Sequence, residues 1–120
     1  MPPESVTAIL KSTDIRRTIE WYGQVGFELR GVFPESGEPT WCEVARDDVV
    51  LQFLAGETPW DGEPAFTGTL YVHPASVDAV HEQIKDHLDP AWGPEEREWG
   101  ARELGLQDPN GYFITFTEPA

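Results

Sequence analysis

Three histidines, one cysteine and 22 acidic residues are the groups in this 120-residue chain that could carry acid–base, nucleophilic or metal chemistry. Their placement argues for little of it. His81 and His87 fall in a segment with helical spacing, off its apolar stripe of Val77, Val80, Ile84 and Leu88, where a histidine reads as a solvated helix residue. His73 differs. It shares the parity of Thr69 and Tyr71 in a segment that alternates like a strand, so it can face a cavity and there bond a ligand or act as a base. No second catalytic group lies near it in sequence, and no catalytic residue is assigned. Cys42 shares the parity of Val44 and reads as core.

Aromatic residues are a richer resource. Five tryptophans, six phenylalanines and three tyrosines make 12% of the chain. Trp21 belongs to a helical stripe and is expected in the core. Trp41, on the opposite parity from Cys42 and Val44, is expected to face a cavity. Trp60 sits in a linker-like stretch that has little reason to carry a tryptophan. Trp92 and Trp99 flank the acidic run Glu95-Glu96-Arg97-Glu98, and Phe33, Tyr71 and Phe113 can extend the same wall. A concave aromatic surface suits a planar conjugated ligand by stacking and a cationic one by cation–π contact. The competing expectation is that these rings fill a small core and a dimer seam.

The elements that must hold these groups repeat. Ser5–Thr13 alternates, with Val6, Ala8 and Leu10 on the core side; Asp14 has the character of a helix N-cap; Ile15, Ile19 and Tyr22 follow at buried-helix spacing. Gly23 and Gly26 end that helix. Strands are expected at Phe27–Phe33, Thr40–Ala45 and Val49–Leu54, the last two forming a hairpin about Arg46-Asp47-Asp48. After the Pro- and Gly-containing segment 55–65 the order restarts. A strand spans Phe66–His73, a helix capped by Ser76 runs until Asp89-Pro90, and strands cover 91–98, 101–107 and 112–117. Asp108-Pro109-Asn110-Gly111 supplies the turn chemistry of the final hairpin. Each half reads strand–helix–strand–strand–strand, a repeat of about 60 residues. The expectation is one α+β domain over residues 1–120, with repeats at 5–54 and 66–117.

Composition excludes some classes of function. Eight basic against 22 acidic residues give a net charge of −14, which disfavours nucleic-acid binding and favours encounter with cations. No apolar run reaches the roughly 18 residues of a membrane span. The opening Met1-Pro-Pro-Glu-Ser-Val lacks the form of a signal peptide, and one cysteine allows no internal disulfide, so a cytoplasmic protein is expected.

The order of these elements resembles the βαβββ repeat of the vicinal-oxygen-chelate superfamily, which includes glyoxalase I, extradiol dioxygenases and bleomycin-resistance proteins. The residues that carry the resemblance are Asp14-Ile15, Trp21-Tyr22 and Gly26-Phe27, then Val77-Asp78-Ala79-Val80, Trp99-Gly100-Ala101-Arg102-Glu103 and Asp108-Pro109-Asn110-Gly111. The resemblance implies two tandem units forming a ligand cleft in a homodimer. It also implies that metalloenzyme members place metal ligands where this chain has Thr7, Gln52, Thr69 and Thr115. Three threonines and a glutamine are poor ligands for a divalent cation, so no metal and no cofactor are expected. The chain is most similar to the bleomycin-resistance branch, whose members sequester a bulky cationic antibiotic without chemistry. The expected ligand-binding residues are Trp41, Gln52, Trp60, Thr69, Tyr71, His73, Trp92, Trp99, Phe113 and Thr115. Two rival expectations are a metal-dependent lyase, isomerase or dioxygenase with ligands elsewhere, and an interaction module whose cavity is filled by its own side chains.

Overall fold

A computed structural model describes residues 5–60 and 62–120. The Pro2-Pro3 pair lies outside the described residues. The chain divides into two compact units, Met1–Pro64 and Ala65–Ala120.

The first unit runs β1 (Ala8–Lys11), α1 (Ile15–Gln24), β2 (Glu28–Phe33), β3 (Trp41–Arg46) and β4 (Val49–Leu54). Its sheet has the order β1-β4-β3-β2, with β1 parallel to β4 and the other pairs antiparallel. Asp14 caps α1 by accepting the Arg17 N–H at 3.1 Å. The buried stripe differs from the expected one. Ile15, Thr18 and Tyr22 are buried, whereas Ile19 and Trp21 are only half-buried. Thr18 can take a core position because its hydroxyl is satisfied there. It donates to the Asp14 carbonyl at 2.9 Å and lies 2.9 Å from Ser12 Oγ, so its burial leaves no polar group unpaired. Around Tyr22 stand Phe27 and Phe53, with ring centroids at 5.2 and 5.0 Å, and Trp21 at 4.9 Å. Cys42, fully buried beside this cluster of strands, has its thiol pushed up to about 11 by desolvation, which keeps it protonated and unreactive.

The first strand is shorter than its alternation predicts. Pairing with β4 begins at Ala8↔Leu51, and Ser5, Val6 and Thr7 are exposed, Val6 at 95%. Alternation marks which side chains share a face, but only a hydrogen-bonded neighbour makes a strand. The β3–β4 hairpin closes on Asp47-Asp48 between the paired Arg46 and Val49, with Asp47 at φ +49, as a tight two-residue turn requires.

The second unit repeats the plan: β5 (Thr69–Val72), α2 (Val77–Ile84), β6 (Trp92–Arg97), β7 (Ala101–Gln107) and β8 (Phe113–Pro119), in the sheet order β5-β8-β7-β6. Ser76 caps α2 by accepting the Ala79 N–H at 3.1 Å. Val77, Val80 and Ile84 pack the helix onto a sheet face whose Val72, Leu104, Leu106, Ile114 and Phe116 are buried. The helix stops at Ile84, earlier than expected, and a turn follows. Leu88 is therefore half-buried beyond the helix, and His87 lies in the turn rather than on the helix; His81 is on the helix and half-buried. Arg102 fastens β7 to the start of α2 through Asp78, with contacts of 2.8 to 3.2 Å, and this guanidinium holds the Asp78 carboxyl below its usual range. In the final hairpin Asp108 is buried and organises its own turn, accepting the N–H groups of Asn110 and Tyr112 at 2.8 and 2.9 Å.

Candidate functional site

In each unit the strands turn one face to their helix and present a second set of side chains on the other. In the second unit that face is set by register. Tyr71, Thr115, Gly105 and Trp92 form one row across β5, β8, β7 and β6, flanked by Thr69 and Phe113 on one side and Thr117 and Glu103 on the other. Gly105 makes room for a ring. A Cβ there would lie 2.1 Å from Trp92 Cε2, so the indole rests on bare β7 backbone and continues to Phe113, whose ring centroid is 5.6 Å away. A bulge between Trp92 and Glu95 aims the indole, and Gly93 permits it at φ +78 where a Cβ would collide with the Glu103 carbonyl. Trp92 Nε1 is buried without a hydrogen-bond partner among the described residues.

Glu103 is the polar centre of this face. It is 2% exposed, yet its Oε2 accepts from the Tyr71 hydroxyl at 2.9 Å, Trp99 Nε1 at 3.2 Å and the Thr117 hydroxyl at 3.3 Å. The bond to this carboxylate, with some burial, raises the Tyr71 phenol above its ordinary pKa. Around it lies a pocket of about 330 Å³ lined by Tyr71, His73, Trp99, Glu103, Thr117 and Glu118, among others. Trp99 also walls a second depression with Glu96, Arg97 and Glu98, and the Arg97 guanidinium stacks 5.0 Å from its ring centre.

The first unit carries a smaller version. Ile9, Gln52, Glu43 and Gly31 make one row, and the polar members bond in sequence: Trp41 Nε1 donates to Gln52 Oε1 at 3.2 Å, and Gln52 Nε2 donates to Glu43 Oε1 at 2.9 Å. Here too a glycine accommodates a tryptophan, since a Cβ on Gly31 would lie 3.0 Å from the Trp41 ring.

The positions expected for metal ligands do not fit a metal. Thr69 and Thr115 hydroxyls bond each other at 2.7 Å, and Thr69 donates onward to the Phe113 carbonyl at 3.0 Å. Gln52 is held between Trp41 and Glu43, and Thr7 is exposed outside β1. Neutral oxygens already spent on each other offer no charge to balance a divalent cation. Among the described residues, no three His, Cys, Asp or Glu side chains are grouped to hold one. Replacing Thr69 with valine should cost about 1 kcal/mol of stability, because it strands the Thr115 hydroxyl, whereas Thr115→Val should cost less, because Thr69 keeps its bond to the Phe113 carbonyl. The double variant should cost less than the sum, a coupling that urea denaturation of all four proteins measures.

The structure thus gathers Thr69, Tyr71, Trp92, Phe113 and Thr115 on one face, with His73 and Trp99 at the pocket, and places Trp41 and Gln52 together in the first unit. Trp60 joins neither group; it is 39% exposed, its carbonyl held by the Thr58 hydroxyl at 2.7 Å. Phe33, considered as a cavity wall, is 65% exposed at the end of β2. His73 lies beyond the end of β5, exposed, with its ring 6.3 Å from Tyr71. Three polar members escaped the sequence reading: Glu43, Glu103 and Thr117. Parity was the available signal, because Glu103 alternates with Leu104 and Leu106; beside Arg102, however, it resembles an ordinary surface charge.

A family model described as Glyoxalase/Bleomycin resistance protein/Dioxygenase superfamily matches residues 7–116, and the chain belongs to that superfamily. Among solved structures it is similar to TioX from Micromonospora sp. ML1, at 20% identity and a TM-score of 0.78 over 98% of this chain and 100% of that one. It is similar also to a bleomycin-binding protein complexed with bleomycin, at 23% identity and a TM-score of 0.70 with the same coverage of 98% and 100%. TnmS3, an antibiotic-binding protein from Streptomyces sp. CB03234, aligns at 22% identity and a TM-score of 0.72 over 100% of this chain and 99% of that one. No curated protein matches at a significant level. Among the described residues no helix is long and apolar enough to cross a membrane.

Proposed function

We propose that this protein binds a cationic or planar aromatic small molecule without transforming it, as a drug-sequestering protein of the bleomycin-resistance type. The observation that carries this reading is the face of the second unit, where an aromatic-walled pocket of about 330 Å³ surrounds one buried carboxylate, and the positions expected to bind metal hold a closed pair of threonine hydroxyls. Rings held on glycine backbone and by their own hydrogen bonds are fixed before a ligand arrives, so little ordering entropy is lost on binding. The net charge of −14 favours a cationic partner. Solved neighbours described as binding bleomycin and as antibiotic-binding support the same class of ligand.

In this reading residues 1–120 act as one domain, in the cytoplasm, and as a homodimer. Val6, Ile9, Leu29 and Phe33, all about half exposed or more, support the dimer because a second copy can cover them. Titration with bleomycin and with a phenazine should change tryptophan fluorescence saturably, leave the compound intact on chromatography and occur with a dimer in sedimentation velocity. No response to either compound at high micromolar concentration overturns the reading. A stoichiometric divalent metal in protein purified without a histidine tag would favour the rival, a metal-dependent lyase, isomerase or dioxygenase.

A further inference from the structure

We infer that the pocket of the second unit seats a protonated amine, with Glu103 as its charge partner. This rests on the binding reading above and specifies its ligand chemistry. A carboxylate taken out of water is costly unless paired and fully hydrogen-bonded. Glu103 is 2% exposed, and its three donors are a phenol, an indole and an alcohol, all neutral. All three converge on Oε2, and none donates to Oε1.

The two nearby arginines make their direct contacts with other acids. Arg102, next in the chain, faces the helix side of β7 and forks onto Asp78. Arg97 lies over the Trp99 ring and 3.3 Å from Glu95, on the side of Trp99 where the other depression lies. Glu103 takes part in none of the described ion pairs. The second acid in the pocket, Glu118, accepts the Val77 N–H at 2.8 Å and so serves the start of α2. Arg97 acts on the Tyr71 phenol through space and His73 lines the pocket, yet no cation among the described residues is paired directly with the Glu103 carboxylate.

The rings decide what kind of cation fits. Tyr71 and Trp99 both donate to Oε2 and both line the pocket, so two aromatic rings stand beside the carboxylate. A ring face attracts any cation within about 6 Å. A free carboxylate oxygen, in contrast, rewards a cation that carries N–H groups. Together they select a primary or secondary ammonium over a quaternary one, and either over a neutral isostere. At about 330 Å³ the space admits an arylalkylamine.

The test uses the full chain, labelled with nitrogen-15 and titrated at pH 8 with benzylamine, benzyltrimethylammonium and benzyl alcohol. Benzylamine should shift the Trp99 indole N–H and the backbone amides of Tyr71, Glu103 and Thr117 along one saturable curve. Benzyltrimethylammonium should bind about tenfold more weakly, and benzyl alcohol weaker still, as loss of a charge-assisted hydrogen bond implies. Glu103→Gln should reduce benzylamine affinity about tenfold or more; the wild-type probe series stands even if that variant fails to fold. Equal binding of the alcohol and the amine, equal binding of the two cations, or shifts confined to other residues would each overturn the inference. Should bleomycin and phenazine fail while benzylamine binds as described, the drug-sequestering reading falls and the amine seat stands. Should those compounds bind while the benzyl series shows no discrimination, the amine seat alone falls.

Discussion

Replacing Tyr22 with alanine is expected to lower the free energy of unfolding by about 3–5 kcal/mol, the usual range for deleting a large buried ring. Tyr22 is the largest fully buried side chain among the described residues. Tyr22 has no exposed surface, and three aromatic rings stand within 5.2 Å of its centroid. Trp21 and Phe27 meet it edge to face at interplanar angles of 74° and 87°, and Phe53 reaches it from β4. The change removes apolar burial from α1, from Phe27 just before β2 and from Phe53 on the inner strand β4. Against a total stability of about 5–15 kcal/mol for an ordinary domain, such a loss leaves little folded margin. Guanidinium unfolding followed by near-ultraviolet circular dichroism measures it. Tyr22→Phe keeps the ring and should retain most of the stability; a loss below about 1 kcal/mol for the alanine variant would show that the cluster is not packed as described.

The second large effect comes from adding a single methyl group. Gly105→Ala is expected to destabilise by about 1–3 kcal/mol and to dislodge Trp92, since an added Cβ would lie 2.1 to 2.4 Å from three atoms of the indole. Neither partner can yield cheaply: the Cβ direction is fixed by β7 backbone, and the ring is the rigid part of its side chain. Displacement also separates Trp92 from Phe113, whose 5.6 Å ring contact completes the aromatic floor. Trp92→Leu should recover part of the stability in the Gly105→Ala background while costing stability alone, giving a coupling that a double-mutant cycle reads. If the two changes simply add, the ring does not depend on that glycine.

Much of the fold was legible because local chemistry and tertiary demand agree. Asp14 and Ser76 cap their helices, and the strands Val49–Leu54 and Ala101–Gln107 end where alternation ends. Legibility failed where the deciding contact is distant in sequence or lies outside the pattern. Thr18 enters the core because Ser12 and the Asp14 carbonyl satisfy its hydroxyl, information that an apolar stripe does not contain. Val6 has the right parity for a core position but no pairing strand beside it, so it stays in solvent. At the candidate site, parity placed Thr69, Tyr71, Phe113 and Thr115 on one face, whereas the burial of Glu103 depends on donors 32 residues before it and 14 after it. A glutamate flanked by arginine and leucine shows none of that in its own neighbourhood.

The alternation of β7 and β8 has a practical consequence. Arg102, Leu104 and Leu106, with Ile114 and Phe116, are committed to the helix side, while Ala101, Glu103 and Gly105, with Phe113, Thr115 and Thr117, face away from it. The candidate-site residues and the core residues are therefore written alternately along the same strands. A combinatorial library restricted to the outer set, with Gly105 and the buried Thr115 held fixed, would vary that face while leaving the helix-side core residues unchanged. The candidate site can thus be altered residue by residue without touching the side chains that pack α2.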